Sequence, residues 1–366
     1  MQTTSFVIII LLQLLPPTLP FTTTTTTLFK PSSRYPCFRQ PVLVTLSNNI
    51  VLAFAENRNV SSCAPAYQPN SNEIGSLQLR RSTDNGNTFS TYQDLFVGDI
   101  DFYSVLQDVN TSTTWLFLEN IHQVQILQSN DYGGTWSLRQ PLDIHQINGL
   151  PYNFSTIIKP TVGHAIQTNS QRLIVPFICT NMSVTSGGSS DKGSCPSCQS
   201  CLLLSDDHGK NWYFGAIGQS GSRETSIVQT STTSIYASER NFGPNPGKRM
   251  FGSSIDGGVS YNETGLAPEL ITPDTKHWTG IVAAVTTLNA TDIVYVGVST
   301  PNVRSDLKMY FSNDSGKRWK SGINVWQGPA GYADAIHLNN NVIGVLFESG
   351  NVTFADEITF ARVDLN

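Results

Sequence analysis

Four arginines lie at or beside the ends of β-rich segments of this chain: Arg39, Arg58, Arg240 and Arg304. A guanidinium binds a carboxylate through charge-assisted, often bidentate hydrogen bonds. Any one of them could equally be a surface cation or a structural arginine paired with an acid. Because they take related places in a repeated unit, we interpret three of them as converging on one point, where they form a carboxylate receptor.

The repeated unit is marked by the pattern Ser-x-Asp-x-Gly, followed by two residues and an aromatic. It occurs at Ser82 to Phe89, Ser129 to Trp136, Ser205 to Trp212, Ser254 to Tyr261 and Ser312 to Trp319. The Asp side chain can accept backbone N–H bonds within a tight turn, and Gly supplies the positive φ that such a turn needs. The aromatic then packs in the neighbouring apolar layer. A period of roughly fifty residues fits one four-stranded propeller blade per repeat.

Short β-rich segments precede each of these turns, such as VLVTL at 42–46 and IVLAFAENR at 50–58 ahead of the first. No window of a dozen residues has a convincing 3.6-residue period, so helix should be minor. Three more β-rich segments follow the fifth turn. The sequence therefore predicts an all-β, six-bladed propeller with five Asp-box turns, in which a strand from the N-terminal region closes the sixth blade.

The net charge of −5 and only 22 Lys plus Arg argue against nucleic acid as a partner. Residues 6–15 form an apolar run that is too short to span a bilayer, and we interpret residues 1–20 as a signal peptide. Residues 21–34 contain six consecutive threonines and are expected to be a disordered spacer that offers sites for O-glycosylation. Residues 35–366 would then be the propeller, with no transmembrane segment in the mature chain.

Export is also indicated by Asn-x-Ser/Thr acceptors at Asn59, Asn110, Asn153, Asn181, Asn262, Asn289, Asn313 and Asn351. Cysteines in an oxidising compartment indicate disulfides. Cys37 and Cys63 bracket the first strand pair, and the pairs we prefer for the others are Cys179–Cys201 and Cys195–Cys198. The spacing of the last three cysteines resembles a zinc knuckle, but the second ligand pair is absent, so we predict no metal. The expected location is the secretory pathway, ending outside the cell or in the lysosome.

Several stretches together resemble the exo-α-sialidase (neuraminidase) family, and its lysosomal sialidase-1 type most closely. They are the five turns, FRQP at 38–41, AFAENR at 53–58, CLLLSDDHGKNW at 201–212, RETSIVQ at 223–229, ASERN at 237–241, GPAGY at 328–332 and GVLFESG at 344–350. The resemblance implies hydrolysis of terminal α-linked sialic acids from glycoproteins, oligosaccharides or gangliosides, with retention of configuration and without a cofactor. Sialylated glycoconjugates are therefore the expected partners.

By the same resemblance, Arg39, Arg240 and Arg304 bind the C1 carboxylate of sialic acid, and Arg58 lies near the sugar ring. Tyr332, from GPAGY, matches the nucleophile. Glu224 matches the carboxylate paired with that tyrosine, and Glu348 matches the glutamate that steadies the first arginine. The alternative for Tyr332 is an ordinary turn with a packed ring.

The family also uses an Asp, in the loop before LRRS, as the general acid that protonates the leaving oxygen. This chain has no Asp between Arg58 and Asp84, and the expected position falls on Asn70, Ser71 or Asn72. Neither an amide nor a hydroxyl can deliver a proton near neutral pH. Glu73 is the nearest carboxyl and is our candidate acid, with Asp99 and Asp101 as weaker candidates.

Three functions are compatible with this sequence. We favour an active sialidase whose acid has moved to another position. A sialic-acid-binding pseudoenzyme and a non-catalytic propeller that serves as a protein-binding scaffold are the alternatives.

Overall fold

The computed structural model describes residues 21–60, 63, 75–98, 100–120, 123–139, 141–144, 147–149, 154–181, 197–243, 245–274, 280–289, 292–339 and 341–365. These residues form 25 β-strands and no α-helix, as the absence of a 3.6-residue period predicted. This part of the chain accordingly contains no helix with the length and apolar character needed to cross a membrane.

The strands of the first half are β1 (Thr22–Phe29), β2 (Cys37–Leu46), β3 (Ile50–Arg58), β4 (Ser76–Ser82), β5 (Gln93–Val97), β6 (Ile100–Asp108), β7 (Thr113–Asn120), β8 (Gln123–Ser129), β9 (Ser137–Leu138), β10 (Phe154–Pro160), β11 (Gly163–His164), β12 (Ile166–Gln167) and β13 (Leu173–Asn181). Those of the second half are β14 (Cys198–Ser205), β15 (Tyr213–Ile217), β16 (Ser222–Gln229), β17 (Ile235–Asn241), β18 (Lys248–Ser254), β19 (Glu263–Ile271), β20 (Ala284–Thr287), β21 (Ile293–Val298), β22 (Ser305–Ser312), β23 (Lys320–Asn339), β24 (Val342–Ser349) and β25 (Glu357–Asp364).

These strands build five sheets. Two have four strands, in the orders β2-β3-β4-β5 and β16-β17-β18-β19. Two have five strands, namely β11-β6-β7-β8-β9 and β10-β13-β14-β15 with β12 added to β13. The fifth has seven, in the order β1-β25-β24-β23-β22-β21-β20. Because β23 pairs with β22 along its first part and with β24 along its second, this sheet consists of two four-stranded groups that share one long strand.

Apolar clusters join each sheet to the next and the last sheet to the first. The first sheet packs on the second, the second on the third, the third on the fourth, and the fourth on the seven-stranded sheet. The ring is closed by Leu43 and Val51 of the first sheet, which are buried with Leu346 and Phe360 of the seven-stranded sheet. The sheets therefore form a closed, propeller-like ring.

Each of the five Ser-x-Asp-x-Gly turns contains the same hydrogen bonds. In the second turn, Ser129 Oγ donates to Asp131 Oδ1 (2.8 Å) and accepts from the N–H of Gly133 (2.8 Å). The Thr135 N–H donates to Asp131 Oδ1 (2.8 Å). The corresponding bonds recur in the other four turns. The Asp thus accepts the backbone N–H that the sequence predicted.

The turns also fasten each sheet to its predecessor. Gly133, with φ of +80°, lies so close to Leu52 of the preceding sheet that a Cβ there would come within 2.6 Å of Leu52 Cδ1. The aromatic of the same turn, Trp136, packs edge-on against Phe54, with ring centroids 6.2 Å apart. The pattern therefore supplies both a hairpin and an inter-sheet contact.

The N-terminal strand corrects the prediction of a disordered spacer. The threonine run forms β1, which pairs antiparallel with β25 from Thr22 opposite Asp364 to Phe29 opposite Ile358. Threonine is a good strand former, and the outer edge of β25 offers backbone groups for pairing. The folded region therefore begins before residue 35, and a strand from the N-terminal region does join the strands that follow the fifth turn. Residues 1–20 lie outside the described residues.

Two disulfides connect described residues. Cys37–Cys63 ties the start of β2 to the segment after β3, and Cys179–Cys201 joins the adjacent strands β13 and β14, as predicted. Cys198 is also disulfide-bonded, and its predicted partner, Cys195, lies outside the described residues.

Replacing Thr22–Thr27 with a Gly-Ser run of equal length should lower the free energy of unfolding by about 2–4 kcal/mol, because each residue loses strand propensity of up to about 1 kcal/mol. Urea denaturation measures the loss. Val at alternate positions of the run preserves the propensity and should leave the stability nearly unchanged. If the Gly-Ser variant and the natural chain have the same free energy of unfolding, the segment does not stabilise the fold and is a spacer.

Candidate active site

Three of the predicted arginines meet at one tyrosine ring. The guanidinium carbons Cζ of Arg39, Arg240 and Arg304 lie 5.5, 5.7 and 5.2 Å from the ring centroid of Tyr332. They come from β2, β17 and the residue before β22, whereas the tyrosine is in β23. The three arginines are only 7%, 4% and 6% exposed. Buried cations in this number favour an anionic ligand between them.

Tyr332 occupies an irregular part of β23. The strand crosses here from the edge of one four-stranded group to the edge of the next, and Gly328 takes a φ of +107° at the crossing. The register with β24 shifts between Ala330 and Ala333. Such an irregularity re-aims side chains away from the regular ladder. It places the tyrosine ring among the guanidiniums.

Glu348, in β24, holds both Arg39 and the backbone of Tyr332. Its carboxylate accepts from Arg39 Nε (2.6 Å) and Nη2 (3.3 Å), and from the N–H groups of Gln40 (3.1 Å) and Tyr332 (3.0 Å). Burial alone would raise the pKa of this fully buried carboxyl, but Arg39 and these hydrogen bonds outweigh it, so the pKa is lowered. Glu348 is therefore an anion that fixes one arginine and one end of the tyrosine segment.

Arg240 connects the phenol to a second carboxylate. Its Nη1 donates to Tyr332 Oη (2.8 Å) and to Glu224 Oε1 (3.0 Å). Burial lowers the pKa of Arg240, but Glu224 and Tyr332 raise it by more. Because the phenol and carboxylate oxygens share one nitrogen, a positive charge stands beside the oxygen that would become a phenolate.

Arg304 is a buried cation beside the other two. Burial lowers its pKa to about 10, Tyr332 opposes this shift, and the neighbouring cations Arg240 and Arg39 add to it. The ring of Phe354 lies 4.8 Å from the Cζ of Arg304 and 5.3 Å from that of Arg39. The sequence had given no indication of Phe354, which follows β24 in a loop.

Arg58 lies on the first sheet, as Arg39 does. It forms an ion pair with Glu56 through Nε–Oε1 and Nη2–Oε2 contacts of 2.8 Å each. Glu56 stands opposite Arg39 in the β2–β3 register. The structure therefore places Arg58 at the end of β3, two residues beyond the position that pairs with Arg39.

A further cationic and aromatic wall extends from Arg240 and was missed by the sequence analysis. The Phe242 ring lies 4.4 Å from the Cζ of Arg240 and 4.9 Å from that of Arg223. Phe102 lies 5.8 Å from Arg223 Cζ and 3.9 Å from Nζ of Lys159, which is paired with Glu119 at 3.0 Å. Only the position of Arg223, directly before Glu224, could have suggested this wall.

The candidate general acid lies outside the part of the chain that the structure describes. Glu73, the neighbouring positions 70–72 and Asp99 lie outside the described residues, and the same holds for the side chain of Asp101. Cys63, in the same loop as Glu73, is described, and its carbonyl accepts from Arg39 Nη1 at 3.4 Å. One point of that loop therefore lies beside the carboxylate receptor.

The chain is similar in sequence to known proteins. The family described as BNR repeat-like domain matches residues 101–345. A sialidase of Micromonospora viridifaciens is 24% identical over 352 residues, covering 86% of this chain and 50% of that protein. The chain thus spans about half the length of this curated relative.

Solved structures have the same fold. The Hadza microbial sialidase Hz136 superposes with a TM-score of 0.67 at 17% identity, covering 89% of this chain and 65% of its own. The intramolecular trans-sialidase from Ruminococcus gnavus, in complex with oseltamivir carboxylate, gives a TM-score of 0.68 at 14% identity, covering 91% of this chain and 95% of its own.

Glu348→Gln should lower the free energy of unfolding by about 3–5 kcal/mol at neutral pH, because it leaves a buried guanidinium without its anion. The pKa of Glu348 is lower in the folded than in the unfolded chain. The stability that it contributes is therefore present above the unfolded pKa of about 4.3 and is lost as the pH falls through the folded pKa. Urea titrations from neutral to acidic pH measure the difference.

The control is Arg318→Gln, which breaks the exposed pair with Asp314. Exposed pairs are worth at most about 1 kcal/mol. If the difference in free energy of unfolding between Glu348→Gln and the natural chain stays constant down to acidic pH, this account of Glu348 is wrong.

Proposed function

The chain belongs to the BNR repeat-like domain family, and from this we propose that it is an exo-α-sialidase that removes terminal α-linked sialic acids. The resemblance to exo-α-sialidases stated from the motifs is confirmed for the family and for the propeller-like fold. The proposed substrates are glycoproteins, oligosaccharides or gangliosides. Closeness to the lysosomal sialidase-1 type stays a prediction.

The observation that most supports this activity is the position of the Arg39, Arg240 and Arg304 guanidiniums around one phenol. A carboxylate bound between them would accept charge-assisted hydrogen bonds from these buried cations. Sialic acid carries that carboxylate on the anomeric carbon, directly beside the bond to be broken. Binding the acid group therefore brings the reacting carbon to the tyrosine.

A tyrosine nucleophile suits this substrate. An Asp or Glu approaching the anomeric carbon would be repelled by the carboxylate already attached to it, whereas a neutral phenol is not. Sialidases with a tyrosine nucleophile are a recognised exception to the two-carboxylate scheme of glycosidases. An unassisted phenol has a pKa of about 10 and needs a base.

Glu224 would take the phenol proton while Arg240 stabilises the developing phenolate. The phenol oxygen bonds to the anomeric carbon as the bond to the leaving oxygen breaks, and the acid protonates that oxygen. Water then attacks the same carbon and gives a proton to the conjugate base of the acid, while the bond to Tyr332 breaks and Glu224 returns its proton to the phenolate. Two displacements give retention.

We propose Glu73 as the acid, because it is the nearest carboxyl to the position where the family has Asp. A longer side chain from the same loop could reach the leaving oxygen. Without an acid, turnover of substrates with poor leaving groups would fall by about 10² to 10⁴ and that of aryl substrates by far less. The alternative function is therefore a sialic-acid-binding pseudoenzyme.

We also propose that the seven-stranded sheet counts as two blades, which makes a six-bladed propeller with five Asp-box turns. The sharing of β23 by two four-stranded groups supports this count. Export through the secretory pathway is a further proposal. It is supported by the two disulfides between described residues, since such bonds persist in oxidising compartments.

Tyr332→Phe should lower kcat on an aryl sialoside by about 10³-fold or more, because the variant has no nucleophilic oxygen. The Kd of the unsaturated 2-deoxy analogue of sialic acid should change little, since the guanidiniums remain. Tyr213→Phe removes a phenol that donates to Asp206 of the third turn at 2.7 Å and should leave kcat unchanged. If Tyr332→Phe hydrolyses the substrate as fast as the natural chain, Tyr332 is not the nucleophile.

Arg304→Ala should abolish binding of the unsaturated 2-deoxy analogue. If the natural chain itself does not bind the analogue, the protein is a scaffold.

The acid is tested by comparing an aryl sialoside with a natural sialyl-galactoside. Turnover of both is expected if Glu73 serves as the acid, and Glu73→Gln should then lower kcat on the natural substrate far more than on the aryl one. Turnover of the aryl substrate alone would indicate a site without an acid. Binding without any turnover would indicate the pseudoenzyme.

A further inference from the structure

Asp334 lies two residues after Tyr332 on β23, and its side chain is 2% exposed. Its carboxylate accepts from three strands. The Leu43 N–H of β2 donates to Oδ2 (2.9 Å), and His164 of β11 donates through its backbone N–H to Oδ2 (3.1 Å). His164 Nδ1 lies 2.8 Å from Oδ1, and the Ala335 N–H of β23 itself donates to Oδ1 at 3.0 Å. One carboxylate therefore joins the first, second and seven-stranded sheets. We call the hydrogen bonds of Asp334 to Leu43 and His164 the Asp334 tie.

This tie sits where regular pairing begins. The register of β23 with β24 is irregular up to Ala333, and that of β2 with β3 is irregular between Arg39 and Val42. Asp334 and Leu43 are therefore among the first residues of regular ladder beyond the site on each strand. Two buried carboxylates therefore hold the backbone at and beyond Tyr332. Glu348 accepts from the Tyr332 N–H, and Asp334 lies two residues later on β23.

His164 binds Asp334 from the side of the molecule where β16 and β20 end. It lines a cavity of about 630 Å³ together with Gln229 and Thr287, which are the last residues of β16 and β20. Glu224, in contrast, is near the start of β16. Burial lowers the pKa of His164, but the Asp334 carboxylate outweighs this and the pKa is raised, as expected for an imidazolium paired with an anion. Asp334 therefore connects the His164 side chain to the strand that carries Tyr332.

We propose that Asp334, held by His164 and the Leu43 N–H, is a positioning residue that fixes the Tyr332 phenol against Arg240 and Glu224. The proposal rests on the proposed sialidase function. Arg39 is held separately by Glu348, and Arg304 comes from another strand. Loosening the tie should therefore disturb the nucleophile more than the carboxylate receptor.

The test uses two variants of His164 in the full chain. His164→Asn retains an N–H donor near the place of Nδ1, whereas His164→Ala removes it. His164→Ala should lower kcat on an aryl sialoside by about 10- to 100-fold, the cost of a nucleophile misplaced by about 1 Å. KM and the Kd of the unsaturated 2-deoxy analogue should stay within about threefold, and His164→Asn should restore most of kcat. Active sites are counted with a fluorinated sialyl compound that traps the tyrosine, so that a partly unfolded sample does not pass for a slow enzyme.

Ser104→Ala is the matched control. It removes a similar bond between inner strands, from Ser104 Oγ to the Gly163 carbonyl at 2.8 Å, next to His164 but without a link to Tyr332. It should leave kcat unchanged. If His164→Ala does not fold, His164→Leu replaces it, because leucine fills the volume without a donor.

Crystal structures of the natural chain and the alanine variant give a second readout that needs no turnover. The distance from Tyr332 Oη to Arg240 Nη1, 2.8 Å here, should exceed hydrogen-bond length in the variant. Unchanged kcat with an unmoved phenol, or a higher KM with unchanged kcat, overturns the positioning role. If the natural chain has no turnover, the proposed function is wrong. The positioning role of Asp334 is then still tested by whether the Tyr332 phenol moves in the alanine variant.

Discussion

The burial of three guanidiniums around one phenol ring is the constraint on which the rest of this structure depends. Moving a cation out of water costs several kcal/mol unless an anion and hydrogen bonds replace the solvent. Glu348 does this for Arg39 and Glu224 for Arg240, while the faces of Tyr332, Phe354 and Phe242 add cation–π contacts. At Arg304, burial lowers the pKa to about 10. The three cations are therefore held in place by contacts within the chain itself.

That cluster exists because the sheets close into a ring. Arg39 and Glu348 are 309 positions apart, and only the packing of the seven-stranded sheet on the first sheet brings them within 2.6 Å. The five turns support this closure, since each places a glycine and an aromatic against a neighbouring sheet. The scaffold and the site are consequently coupled, because a shift between sheets would separate the charges.

The site also lies where the strands depart from regular pairing. Both β2 and β23 have register shifts at their site ends, beside Arg39 and Tyr332. Regular ladder would alternate these side chains across the sheet faces, whereas a bulge re-aims them towards one point. Asp334 and Glu348 then bind backbone N–H groups near the irregular segments and hold them in place.

The sequence by itself determined what short-range chemistry decides: the five turns, the strands before them, the all-β class and the Cys179–Cys201 pair. Each depends on neighbours along the chain, where an Asp meets an N–H four residues on. Only the tertiary structure decided that the threonine run is a strand, because its partner β25 lies more than 300 residues away. The repeat and the motifs had indicated that Arg39, Arg240 and Arg304 converge, whereas the wall of Arg223 and Phe242 and the contacts of Asp334 came from the tertiary structure alone. Those contacts join residues that no local pattern relates, since burial and closure of the ring alone bring them together.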